Sequence, residues 1–228
     1  PSNGRTTFNL GGATLESRRE IRRVARASIR STLALACLLS AAAPSVADDA
    51  VLPGVSAKAM AVHSSAILID GHNDLPWIVR TEASLDFSRH DIRQRLAHDH
   101  TDIPRLRAGG VKGQFWSVYV PANLAARGGA VRATLEQIDL VHRMVARYPE
   151  AFEMAYTADD IERIARSGRI ASCIGIEGGH SIENSLGTLR MFHRLGARYM
   201  TLTHSDTLEW ADSATGVERH GGLTPFGE

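Results

Sequence analysis

Cysteine is almost missing, with two in 228 residues. Cys37 falls in an N-terminal apolar run and Cys173 stands alone after it, so the rest of the chain can close no internal disulfide. Cys173 itself sits among apolar residues, where a thiol serves as a small core filler rather than a nucleophile. Net charge is nearly missing too, at +1, but it is unevenly spread: the first 47 residues hold seven Arg against two Glu. The chain beyond them has 19 basic and 23 acidic residues, a balance of about −4, and no basic stripe of the kind nucleic acid requires. No apolar run is long enough to span a bilayer permanently, and no repeat or long low-complexity tract interrupts the chain.

The N-terminus reads as an export signal in outline. Residues 18–30 are Arg-rich, Ser31–Ala43 is a short apolar run, and Ser45-Val46-Ala47 offers small residues to a signal peptidase. Ser17-Arg18-Arg19 hints at twin-arginine export, although Arg22 and Arg23 stand where apolar residues would strengthen it. The apolar run before Cys37 is too short to mark that residue for lipidation. The expectation is a leader over 1–47, a mature domain over 48–228, and work outside the cytoplasm, periplasmic or extracellular.

The chain is 43% hydrophobic and 22% charged, ordinary for a globular protein. Ala66-Ile67-Leu68-Ile69 predicts a buried parallel strand, and 51–63 a short helix leading into it. Residues 81–101 are polar, with at most a helical turn or two over Asp91–Leu96, and Asp102-Ile103-Pro104 predicts a capped helix that Gly109-Gly110 stops. Val111–Pro121 predicts a second strand. Val131, Leu135, Ile138, Val141 and Val145 recur at helical spacing up to Pro149, and Thr157 with Asp160 predicts a capping box. Ile170–Ile176 is a third strand, Leu186 to Leu195 another helical stripe, and Arg198–Thr203 a fourth strand. Alternating strands and helices predict an α/β fold of parallel units.

Three of the four strands end in groups that no core would choose. The first runs into Asp70-Gly71-His72-Asn73-Asp74, the third into Glu177-Gly178-Gly179-His180, the fourth into His204-Ser205-Asp206. His72 and Asp74 are two apart, so an extended chain puts them on one side, and an imidazole beside a carboxylate suits a divalent metal. A β/α barrel gathers its chemistry at these strand ends. An open doubly wound sheet, the structural rival, collects it at one switch point instead. His90, His98 and His100 cluster in a charged segment read as solvent-facing and are set aside as ligands, while Trp77, Trp116 and Trp210 read as packing rather than cleft lining.

The blocks DGHNDLPW (70–77), DIPRLRAGGVKGQFWSVYVP (102–121), IEGGHSIENSLGTLRMFHRLGARYMTLTHS (176–205) and GLTPFGE (222–228) closely resemble the membrane, or renal, dipeptidase family. The resemblance implies a (β/α)8 TIM barrel of the amidohydrolase-like type, two zinc ions, and hydrolysis of dipeptides by a metal-bridging hydroxide. It implies His72 and Asp74 as ligands of one zinc and Glu177 as the carboxylate bridging both. His204 would contact substrate, so Glu177 and His204 are the expected catalytic pair. His180 is not implied as a ligand, and Asp70, just before the ligand pair, is expected to orient His72 through a hydrogen bond. Later histidines of the family pattern have no counterpart here. The expectation is therefore about the first half of a barrel, a truncated product that folds weakly and has no appreciable activity. A homodimer, and membrane association through a missing region, are implied by the resemblance alone. Two rivals stay open: another binuclear hydrolase of amidohydrolase type, although His-x-Asp stands where His-x-His is usual, and a catalytically dead binding relative.

Overall fold

The computed structural model describes residues 54–228, so the expected leader lies outside the described residues. Helix α1 (Ala57–Ser65) starts on Ser56, whose hydroxyl accepts from the Ala59 N–H at 3.2 Å. It leads into β1 (Leu68–Asn73) and α2 (Leu75–Ala83). After an irregular stretch come α3 (Ile103–Ala108), β2 (Val111–Ser117), α4 (Ala130–Arg147), β3 (Phe152–Met154), α5 (Ala158–Arg166), β4 (Ile170–Ile176), α6 (Leu186–Arg194) and β5 (Ala197–Met200). No described helix is long and apolar enough to cross a membrane.

Every pairing in the five-stranded sheet is parallel. β1 pairs β2, and β2 pairs β4. The other side of β4 is shared: Ile170–Ser172 pairs β3, and Ile174–Ile176 pairs β5. β4 is buried along its whole length, which explains why IASCIGI carries no charge. Ile170, Ile174 and Ile176 face the large core with Trp116, Phe152 and the α4 residues Ile138, Val141 and Met144. Ala171 and Cys173, on the alternate face, pack with Ile164 of α5. The parallel arrangement puts the C-terminal ends of β1, β4 and β5 on one side, and that side carries the site.

Several expectations hold in detail. Asp102 caps α3, accepting from the Arg105 N–H at 2.8 Å, and Thr157 with Asp160 forms the reciprocal capping box. Others need correction. Ile67, Leu68 and Ile69 are 41%, 37% and 44% exposed, because β1 is an edge strand with one neighbour among the described residues. Leu135 is exposed and α4 buries Thr134, Gln137 and Leu140 instead, so its inner face is wider than the apolar stripe suggests. In α6 only Phe192 is buried; Leu186 and Leu195 are exposed. Asp91–Leu96 forms turns rather than helix. His90 is not solvent-facing: it is buried, with Nε2 2.8 Å from Asp99 Oδ2. Helix α2, whose buried Leu75, Val79 and Ala83 recur every four residues, went unpredicted, as did β3, whose three residues are too short to display a period.

Candidate metal centre

His72 is the fifth residue of β1, and Asp74 follows the strand as the N-cap of α2. The turn between them folds the two side chains together, with His72 Nε2 3.2 Å from Asp74 Oδ1. Glu177 comes directly after β4. The sheet carries it to the same place, with Oε2 3.4 Å from His72 Nε2. One ligand atom from each of His72, Asp74 and Glu177 lies within 4.8 Å of the others. His204, beyond the end of β5, brings Nε2 to 3.2 Å from Glu177 Oε1. The structure thus brings together all four residues singled out in the sequence.

Among the described residues, neither Asp74 nor Glu177 pairs with a Lys or Arg; imidazoles are their only ionisable partners. Two carboxylates converging with imidazole and lacking a guanidinium or ammonium partner are a donor set that fits a divalent cation. Glu177 is 15% exposed, and a carboxylate so enclosed needs compensation. Part of it comes from Ser117 at the end of β2, whose wholly buried hydroxyl donates to Glu177 Oε2 at 2.8 Å.

An aromatic wall closes one side. The Tyr119 ring stands edge-on to His204, centroids 5.2 Å apart, and Trp77 packs edge-on to Tyr119 at 5.0 Å. Trp77 thus packs behind Tyr119 rather than against the four converging residues. Trp116 packs in the core against Phe152, and Trp210 is buried beside Phe226, as expected of packing residues. Burial, reinforced by the Glu177 and Asp74 carboxylates, pushes the Tyr119 and Tyr199 phenols above their ordinary range.

His180 is no ligand here. It is buried, its Nε2 donates to the Val120 carbonyl at 2.7 Å, and burial lowers its pKa, favouring the neutral ring. Its imidazole lies against Gly178, where φ is +98° and a Cβ would sit 2.3 Å from Cε1; only glycine fits. Asp70 does hydrogen-bond His72, through the backbone rather than the ring. Its Oδ1 accepts from the backbone N–H of His72 at 3.1 Å, while the other ring nitrogen, Nδ1, faces the Tyr199 hydroxyl at 3.4 Å. Ser117, Tyr119 and Tyr199 were invisible as site residues in the sequence, because nothing in their neighbours marks them out from the other polar residues in and beside β2 and β5. A cavity of about 350 Å³ opens nearby, lined by Asn123, His180, Glu183, Asp206 and Arg219 among others, with none of the four expected site residues in its wall.

The profile of the membrane dipeptidase family, peptidase family M19, matches residues 56–228. The chain belongs to the membrane dipeptidase family. Dipeptidase ataJ of Aspergillus terreus is 48% identical over 160 residues, covering 67% of this chain and 38% of that protein. Dipeptidase 3 of Mus musculus is 41% identical over 181 residues, covering 77% of this chain and 36% of that protein. The chain thus spans well under half the length of these relatives. Among solved structures, the probable dipeptidase PvdM from Pseudomonas aeruginosa superimposes with a TM-score of 0.62 at 18% identity, over 75% of this chain and 44% of that one. Identity that low shows the fold alone, and the fold is that of the family's amidohydrolase-like TIM barrel, of which the described strands form a part.

Proposed function

We propose that this membrane dipeptidase chain holds zinc through His72, Asp74 and Glu177 and takes part in hydrolysing dipeptides, with Glu177 as the carboxylate shared by a pair of ions. The observation that carries this reading is the convergence of those three side chains within 4.8 Å from two strand ends. Zinc bound there supplies a Lewis acid that polarises a peptide carbonyl and acidifies water. The chain's own groups do the rest. His204, whose Nε2 lies 3.2 Å from Glu177 Oε1, would donate a hydrogen bond to the oxygen of a scissile carbonyl. Ser117 holds Glu177 in its rotamer, and Tyr119 with Trp77 excludes water from one side. Export is part of the proposal and rests on the Arg-rich and apolar segments before Ala47. Pairing with a second copy and membrane attachment rest on the resemblance alone.

The test is to express the chain, measure zinc after dialysis, and follow release of amino acids from L,L- and L,D-dipeptides beside hydrolysis of lactones. Retained zinc that Asp74→Asn and Glu177→Gln abolish, together with dipeptide binding to the zinc-loaded chain in preference to lactones, is expected. The chain by itself is expected to show no appreciable turnover. No retained zinc overturns the metal centre, lactone preference overturns the substrate class, and two tight zinc ions with turnover overturn the expected inactivity.

A further inference from the structure

Tyr199 belongs to β5, yet its hydroxyl lies at the end of β1, on the far side of β4 and β2. Its ring crosses β4 at Gly175, where a Cβ would sit 2.0 Å from Cζ, so only glycine leaves the path open. It then packs against Phe115 of β2, centroids 5.3 Å apart and ring planes tilted by 36°. At the end of this reach, the hydroxyl donates to the Gly71 carbonyl at 3.1 Å and stands 3.4 Å from His72 Nδ1, the outer range of a hydrogen bond.

The direction of the first bond decides the second. With its hydrogen committed to the Gly71 carbonyl, the Tyr199 oxygen offers Nδ1 a lone pair, which an N–H satisfies and a bare nitrogen does not. Tyr199 thereby favours the proton on Nδ1, and with a cation between Asp74 and Glu177 that form would leave the lone pair of Nε2, 3.2 Å from Asp74 and 3.4 Å from Glu177, free to ligate. We propose that Tyr199 is a positioning residue for the metal centre, holding His72 as the Nδ1–H tautomer so that Nε2 faces a cation between Asp74 and Glu177. This rests on the metal reading of His72. Asp70 thus holds the His72 backbone, and the ring is met by a tyrosine brought from the far side of β4 and β2.

Tyr199→Phe keeps the ring over Gly175 and deletes only the hydroxyl. In the full chain, zinc affinity is measured by competition with a chromophoric chelator, and the His72 ring is assigned by ¹⁵N NMR with zinc bound. The unmodified chain is expected to ligate through Nε2 and to show a Nδ1–H proton protected from exchange. Tyr199→Phe is expected to bind zinc about tenfold more weakly or worse and to lose that protection, with unchanged far-UV circular dichroism. A merely structural tyrosine would alter the melting temperature and leave both readouts alone. Unchanged affinity in Tyr199→Phe overturns the positioning role, whereas an unmodified chain that binds no zinc overturns the metal centre itself. Zinc on Nδ1 in the unmodified chain overturns the proposal whatever the variant does.

Discussion

The Ser117 hydroxyl donates to Oε2 of Glu177 across 2.8 Å, tying the end of β2 to the residue just past β4. Sheet register makes the bond, since Ser117 stands opposite Gly175 and Glu177 comes two residues later. A buried donor thereby fixes the carboxylate on which His72 and His204 both converge.

Ser117→Ala should accordingly loosen the centre without disturbing the core. A hydrogen bond to a charged group is worth about 1.5–3 kcal/mol. The expected outcome is a loss of roughly that size, divided between zinc affinity and thermal stability. Zinc titration and a melting curve on the same preparation measure the two shares.

Zinc removal should lower stability, because an ion that binds only the folded chain stabilises it by mass action. At a hundredfold excess over its dissociation constant this amounts to about 2.7 kcal/mol, or about 5–10 °C for a domain of this size. Asp74→Asn should abolish the difference between melts recorded with zinc and with chelator. A difference that survives in the variant would place the ion elsewhere.

Acid should act in two stages. Burial holds the His180 pKa below its ordinary 6.5, so its contribution is full above that value and fades as pH falls through the lower folded value. Asp160, bonded first to Arg163, and Asp212, accepting from the backbone of Gly222, Arg219 and His220, are both held at about 2, against an ordinary 3.8. Their contributions are present above 3.8 and are lost as pH falls toward 2. Urea midpoints recorded against pH should show both stages, with Asp212→Asn flattening the second.

Cys173 should resist alkylation in the native chain and react once urea unfolds it. Burial pushes its thiol up to about 11 from an ordinary 9.0. Its share of stability is complete below pH 9 and is lost as pH rises through about 11. Iodoacetamide labelling followed by mass spectrometry checks the first point, and alkaline unfolding of Cys173→Ala beside the parent checks the second.

Short-range stereochemistry accounts for the features legible in the residues alone. Thr157 and Asp160 cap each other within one turn, and the uncharged run Ile170–Ile176 belongs to a strand buried on both faces. His72 and Asp74 meet because they are two residues apart at a strand's end. The polar strand ends and the family resemblance pointed to Glu177 and His204, and the fold delivers both.

The amino-acid sequence by itself determined most of the strand and helix order, the caps of α3 and α5, and the polar residues at the strand ends, since each depends on residue type and near neighbours, while the resemblance to the family singled out the four side chains that converge. Tertiary structure alone decided the exposure of Ile67–Ile69, the burial of His90, the Ser117–Glu177 bond and the reach of Tyr199 over Gly175 to the end of β1. Those features depend on which strand lies beside which and in what register, and pairings between distant segments leave no period in the chain from which to read them.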